Sequence, residues 1–310
     1  MAGLSGGLNP NVVKTALDEV FNMEFQEQMT PDVATALDPQ VFMQTSTDKG
    51  AIVTEVFEGV GEWSSTAEQA NLAEYSPRVG DQQTHNVTKF AQAVRISEEY
   101  FADDEHDTVQ SMIRDMARKG RITRTKNAFA AFRNGFTTQT THDGSSLFNA
   151  THTTLSGDTV DNLDTAALTE ASLETGIVAL MEQLDQSGTV AGHKAACLLV
   201  PAALYKDAVE ITDSELRSGT DNNDINFYSS RYGLTVKTSP YLGAAAGGSD
   251  TAWFLLSAMH GVKRYVREDL TTDLVDRIYQ ANNDYIYKAK FREVVATISW
   301  EGLYGSDGTV

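Results

Sequence analysis

One stretch, residues 103–136, narrows the choice of folds more than any other. Its apolar residues recur at helical spacing, but the stripe changes face partway along. Val109, Met112, Ile113 and Met116 form the first stripe, with Arg114, Arg118 and Arg121 on the opposite side. Gly120 interrupts, and the stripe moves to Ile122, Phe129, Phe132 and Phe136. A helix lying on a single layer keeps one apolar face, so this one needs either a bend near Gly120 or two packing partners along its length. Asp103, Asp104 and Glu105 put negative charge where it suits the helix macrodipole, and Gly135 fits a C-cap.

The flanking segments read differently. Residues 1–48 form an arm: Gly3, Gly6, Gly7 and Pro10 mark irregular backbone, a helical pattern runs from Asn11 to Met29, and Thr30-Pro31 stops it. A second short helix follows Asp32 and ends at Pro39. Residues 51–62 read as a strand through Ile52, Val53, Val56 and Phe57. A second strand, Asn86 to Ser97, puts Phe90, Val94 and Ile96 on one face and Lys89 and Arg95 on the other. The stretch between them, Glu62 to Gln83, is polar. Together they make an extended hairpin with little core of its own, marginal unless it lies on another subunit.

Beyond the Thr-rich loop 137–163, helices are predicted over Thr165–Leu184 and Leu204–Ile211, with a polar loop from Asp213 to Asn226 centred on Gly219–Asp224. Strands are predicted over Ala195–Val200, Leu234–Thr238, Ala252–Leu256 and Val262–Glu268, with a Gly/Ala turn at Ala244–Asp250. From Tyr285 onward apolar and polar residues alternate, and the phase slips near Glu293, as a β-bulge would make it do.

Charge removes whole functional classes. The 310 residues hold 24 Lys+Arg against 43 Asp+Glu, a net charge of −19. A generic nucleic-acid binder carries the opposite surplus. No apolar run approaches the roughly 18–20 residues of a membrane span, and Met1–Pro10 lacks the regions of a signal peptide. The chain is therefore expected in the cytosol of its host, with no membrane partner. The single cysteine, Cys197, excludes an intramolecular disulfide framework, and its apolar neighbours read as a buried strand rather than a nucleophile's setting. His142, Asp143 and His152 share one loop, but their spacing fits no helix or hairpin ligand motif and reads as a turn rather than a metal site. No P-loop, GxSxG or dinucleotide glycine pattern occurs, so no catalytic residue, cofactor or metal is assigned. One local exception to the acidity stands out. Residues 106–135 hold seven basic residues (Arg114, Arg118, Lys119, Arg121, Arg124, Lys126, Arg133) against Asp107 and Asp115. That stripe is either a solvated face paired with acidic segments or a surface for phosphate or a neighbour's carboxylates.

The order of parts resembles a tailed-phage major capsid protein of the Hong Kong 97 type fold, and Mu-like major head subunits in particular. The stretches that carry the resemblance are FADDEHDTVQSMIRDMARKGRITRTKNAFAAFRNG, DGSSLFNATHTT, CLLVPAALY, SPYLGAAAGGSDTAWFLLS and YKAKFREVVATISWEGLYGS. The resemblance implies an α+β, Hong Kong 97-like capsid fold: N-arm 1–48, E-loop 49–97, P-domain spine helix and following loop 98–159, A-domain 160–258, and P-domain C-terminal strands 259–310. It implies a non-enzymatic head protein that assembles as hexamers and pentamers into an icosahedral shell around double-stranded DNA, made in the host cytoplasm and ending in the virion. It places Arg114, Arg118, Arg121 and Arg124 on the inner surface, and Glu62, Trp63, Tyr75 and Arg78 on an E-loop that meets a neighbouring subunit. Portal and decoration proteins are further implied partners. Nothing precedes the arm, so a separate scaffolding protein is expected. The tip from Glu62 to Gln83 holds no Lys, so no Lys-mediated cross-link is expected there.

Three other readings remain open to the sequence. An encapsulin-like compartment would use the same fold around a protein cargo. A metal-dependent hydrolase would use the His142/Asp143/His152 loop. A small homo-oligomeric binding protein would form only closed particles of a few subunits.

Overall fold

The computed structural model describes residues 37, 39–68, 70–72, 74–76, 78–97, 108–213, 228, 232–275 and 285–309. The arm helices predicted over 11–29 and after Asp32, the acidic start at Asp103, Asp104 and Glu105, and the Gly219–Asp224 loop lie outside them. In chain order the elements are β1 (Met43–Ser46), β2 (Ala51–Thr54), β3 (Gln83–Asn86), β4 (Thr88–Ile96), α1 (Thr108–Arg133), β5 (His152–Thr153), β6 (Thr159–Val160), β7 (Leu163–Asp164), α2 (Glu170–Glu182), β8 (Ala195–Pro201), α3 (Tyr205–Thr212), β9 (Thr235–Ser239), β10 (Trp253–Ser257), β11 (Val262–Val275), β12 (Tyr285–Thr297) and β13 (Leu303–Ser306). Internal contacts divide the described residues into two units, one holding those of 88–125 and 266–293, the other those of 37–87, 126–265 and 294–310.

The first unit is a helix on a sheet. Strands β11, β12 and β4 are neighbours in that order, and β12 runs antiparallel to β4 in unbroken register from Tyr285↔Ile96 to Glu293↔Thr88. Val109, Ile113, Met116 and Ala117 of α1 pack with Ile96, Leu270, Tyr287, Ala289 and Phe291. The pairing with β4 ends at Glu293, and the buried phase moves from the odd positions up to Glu293 to Ala296 beyond it, so the expected slip falls just after Glu293. Glu293 is fully buried, in phase with Tyr287, Ala289 and Phe291. A carboxylate occupies the core face because Arg124 reaches it, with Nε 3.1 Å from Oε2.

The second unit has a five-stranded sheet in the order β7-β13-β10-β8-β9. Strand β10 is antiparallel to both β8 and β13, while β8 and β9 are parallel. Both faces of its central strands are covered, which is why those strands read as continuous apolar runs. Leu198, Val200, Trp253 and Leu255 face Leu173, Ile177 and Leu180 of α2. Cys197, Leu199, Phe254 and Leu256 face the other way, toward Phe42, Phe129, Phe132 and Phe148. Phe254 lies 5.7 Å from Phe132 and 5.2 Å from Phe148, centroid to centroid, in the range where aromatic pairs add about 0.5–1.5 kcal/mol beyond burial. Helix α2 starts at a capping box in which the Ser172 amide donates to Thr169 Oγ1 (3.1 Å) and the Thr169 amide donates to Ser172 Oγ (2.9 Å).

Helix α1 is continuous from Thr108 to Arg133. Of the two ways to explain its changing stripe, two packing partners is the one observed. Val109, Ile113 and Met116 belong to the core of the first unit, and Ala128, Phe129 and Phe132 to that of the second. Met112, read as part of the stripe, is exposed. Gly120 needs no bend: a Cβ there would sit 3.1 Å from Leu270 Cδ2. Gly135 follows the helix end for a related reason, since a Cβ would meet the Phe148 ring at 2.8 Å.

The hairpin also departs from its prediction. Strand β2 pairs with β3, Ala51↔Asn86 through Thr54↔Gln83, so of the predicted 86–97 partner only Asn86 faces β2, and Thr88–Ile96 forms β4. The polypeptide changes sheets at Val87, whose amide donates to Gly50 O. Two strand-forming segments that abut in sequence therefore serve two different units. Strand β11 likewise runs well past Glu268, to Val275.

Candidate functional site

The hairpin 51–86 is the most exposed apolar part of the described chain. Its ladder continues irregularly beyond β2 and β3. The Gly80 amide donates to Val56 O, the Glu58 amide to Arg78 O, and Phe57 bridges Val79. Period-two alternation gives the ribbon two unlike faces. Ile52 and Glu58 are buried, while Val53 and Phe57 are 55% and 60% exposed. Toward the tip, Trp63 is 92% exposed and Leu72 80%. Residues Val60, Glu62, Trp63, Leu72, Glu74 and Tyr75 line one shallow concavity. Of the four tip residues singled out from sequence, Glu62, Trp63 and Tyr75 thus come together there. Arg78 does not; it turns back on its own chain.

Polar bonds hold the base of the ribbon. Glu58 Oε2 accepts from the Arg78 amide at 3.0 Å and lies 3.9 Å from its guanidinium. The hydrogen bond from Tyr75, with help from Arg78, holds the Glu58 carboxyl below the usual range despite opposing desolvation. Arg78 donates to Leu155 O at 3.1 Å, and Gln83 Nε2 donates to Thr140 O at 3.1 Å. A Cβ on Gly80 would be 3.3 Å from Leu155, so the ribbon approaches that loop closely. Glu58, Phe57, Leu72 and Val79 were not singled out from sequence. Phe57 carried a signal only as part of a strand-forming run, and nothing local marked Glu58 or Leu72.

The 139–160 loop that receives the ribbon holds His142, Asp143 and His152. His152 Nδ1 and Asp143 Oδ2 are 2.7 Å apart with side chains 0% and 7% exposed. His152 also stacks on Trp300 at 5.2 Å. The other carboxylate oxygen, Asp143 Oδ1, accepts from Thr141 Oγ1 (2.6 Å) and the Ser145 amide (3.1 Å). Desolvation pushes the Asp143 pKa up, but the His152 and Thr141 bonds outweigh it and hold it well below the usual carboxylate range. His142 is buried, and that burial pushes its imidazole pKa down. Among the described residues no three His, Cys, Asp or Glu side chains converge as metal ligands, and none of their helices is long and apolar enough to cross a membrane.

The basic stripe is not one open face. Arg118 is exposed beside Asp115 at 3.7 Å, while Arg114 and Arg121 are half-buried. Arg124 corrects the expectation of a surface cation: its side chain is 13% exposed and lies 2.8 Å from Asp269 and 3.1 Å from Glu293. Burying Glu293 requires a cation, and Arg124 is committed to it.

A family model described as phage capsid protein matches residues 81–306. No curated protein matches the chain. Among solved structures, a subunit of the capsid of the native GTA particle is similar with TM-score 0.57 and 14% identity, covering 89% of this chain and 91% of that one. A subunit of the capsid of the cyanophage P-SCSP1u has TM-score 0.55 and 14% identity, covering 86% of each. The virus-like particle from Pyrococcus furiosus has TM-score 0.54 and 10% identity, covering 93% of this chain and 98% of that one. At such identities the likeness is one of fold.

Proposed function

Because the chain belongs to the phage capsid protein family, we propose that it is a major capsid protein of the tailed-phage, Hong Kong 97-like type, whose copies assemble as hexamers and pentamers around packaged double-stranded DNA. The single observation that carries this reading is the family match over 81–306. The hairpin fits it. A ribbon exposing Phe57, Trp63 and Leu72 while burying little of its own suits a shell, which needs many moderate, repeated interfaces. In this reading residues 49–97 are the E-loop, with Glu62, Trp63 and Tyr75 at the neighbouring subunit. Residues 1–48 are the N-arm, 98–159 and 259–310 the P-domain, and 160–258 the A-domain. Arg114, Arg118 and Arg121 lie toward the interior and soften DNA repulsion by a chain of net charge −19. Scaffolding, portal and decoration proteins are its partners, and assembly takes place in the host cytoplasm.

The same fold serves the virus-like particle from Pyrococcus furiosus, and fold alone does not fix contents. Electron microscopy of particles containing this chain separates the readings. Icosahedral shells dense with DNA are expected. Shells around a protein cargo would replace the proposal with a compartment, and only small closed oligomers in the presence of scaffold and portal would overturn both.

A further inference from the structure

We infer that the buried Asp143–His152 pair is a clasp that sets the direction of the hairpin by tying its two anchor points together. This rests on the reading of the hairpin as an assembly element. The ribbon is bonded to the 139–160 loop at two carbonyls, Thr140 O through Gln83 and Leu155 O through Arg78. These carbonyls lie on different turns. Thr140 belongs to a turn closed by the Thr140↔Ser146 bridge, and Leu155 to the turn between β5 and β6.

Asp143 stands on the first turn and His152 on β5, the strand that leads into the second, and their contact at 2.7 Å joins the two. Each partner is fixed within its own turn. Asp143 Oδ1 is held by Thr141 and Ser145. His152 pairs with Val160 across the β5–β6 ladder and stacks on Trp300. Each anchor has one further support: Thr297 Oγ1 donates to Thr140 O at 2.7 Å, and the Leu155 amide donates to Gln186 Oε1 at 3.3 Å.

An imidazole with no exposed surface meets no substrate, so a catalytic dyad is a poor account of this pair. As a stabiliser it is inefficient, because a carboxylate and an imidazole both lose their hydration. What a buried, directional pair supplies is a single geometry. Here that geometry fixes the spacing of the two carbonyls on which the ribbon rests. Asp143 and His152 are therefore positioning residues.

The test uses the full, unassembled chain with spin labels at Glu68→Cys and Glu174→Cys, both exposed sites of the second unit; the native Cys197 is buried. The label-to-label distance distribution is read by pulsed electron resonance. A narrow distribution is expected for the otherwise wild-type chain. Asp143→Ala and His152→Ala should each widen it at least twofold with near-UV circular dichroism retained. Asp143→Asn, which keeps the shape and can still hydrogen-bond His152, should restore the narrow width. A folded Ala variant with wild-type width would overturn the clasp. If neither Ala variant folds, Arg78→Ala with Gln83→Ala decides: it must double the width, and an unchanged width overturns the proposal. Absence of shells from the wild-type chain would sink the assembly reading instead, and leave the clasp standing.

Discussion

Arg124 and Glu293 meet inside the first unit, Nε to Oε2 at 3.1 Å, with no part of the Glu293 side chain exposed. Asp269 lies on the solvent side of the same guanidinium at 2.8 Å and is 67% exposed. The buried partner controls the energetics, because Asp269 keeps its water when the guanidinium is removed and Glu293 has none to regain. Arg124→Met should therefore destabilise the chain by about 3–5 kcal/mol, whereas Arg124→Met with Glu293→Met should recover most of that loss. Urea unfolding of the three proteins decides it. Equal losses in the single and double variants would mean that packing of the arginine stem, not the unpaired carboxylate, dominates.

Gly176 sits within α2, where alanine has the higher intrinsic helix propensity by about 1 kcal/mol. A Cβ there would lie 2.7 Å from Tyr304 and 3.0 Å from Leu255. Overpacking of that kind costs about 1–3 kcal/mol. Gly176→Ala should thus lower the unfolding midpoint despite the better helix former, and Gly176→Ala with Tyr304→Leu should recover part of the loss. A stabilised single variant would show that α2 shifts freely on the sheet.

Acid should weaken the second unit through its buried imidazoles. His260 is buried, accepts from the Val262 amide at Nδ1 (3.3 Å) and faces Gln40 O from Nε2 (3.4 Å). Burial pulls its pKa down to about 4, and burial lowers those of His142 and His193 too. The unfolded chain binds protons at an ordinary imidazole pKa of about 6.5, so it holds more protons than the folded chain below that pH. Stability is then complete above about pH 6.5 and declines as pH falls toward 4. The His260 share is on the order of 3 kcal/mol. Chemical denaturation at pH 7.5 and 4.5 should show the decline, and His260→Asn should flatten it. An unchanged slope in the variant would assign the effect elsewhere.

Trp63→Ser and Leu72→Ser should leave the unassembled chain's stability within about 0.5 kcal/mol, since both side chains already stand in water. Each removes apolar surface worth about 1.5–3 kcal/mol once buried. The concentration needed for assembly should rise by about tenfold or more per variant, as followed by light scattering. Normal assembly of both would remove the tip from the interface.

Mature particles should run as single subunits on denaturing gels. The tip from Glu62 to Gln83 contains no Lys, so an isopeptide bond from this segment has no amine. Covalent ladders that survive boiling in detergent would contradict this.

Regular elements with one environment were legible in the sequence, and shared ones were not. The apolar run at 195–200 announced β8 because both faces of that strand are covered. Asn86 to Ser97 read as the hairpin partner of 51–62 because nothing in composition marks Val87 as the point where pairing changes from β2 to β12. Nothing local marked Glu293 as buried, because its partner, Arg124, is remote in sequence. For the same reason Arg124 looked like surface. At the hairpin, the polar composition of 62–83 revealed an arm without a core. Its attachment to Thr140 and Leu155 depends on backbone carbonyls, which carry no residue identity to read.

The two unlike faces of the ribbon have a consequence for how such a chain can change length. Ile52 and Glu58 point inward, and Val53 and Phe57 outward. One residue inserted or deleted within β2 would exchange the two sets, sending a carboxylate out and a phenyl ring into the anchor. Insertions in the ladder are thus tolerable only in pairs, whereas the tip beyond Gly59 obeys no such parity. Variation among chains of this design should accumulate there by single residues, and along the ladder by twos.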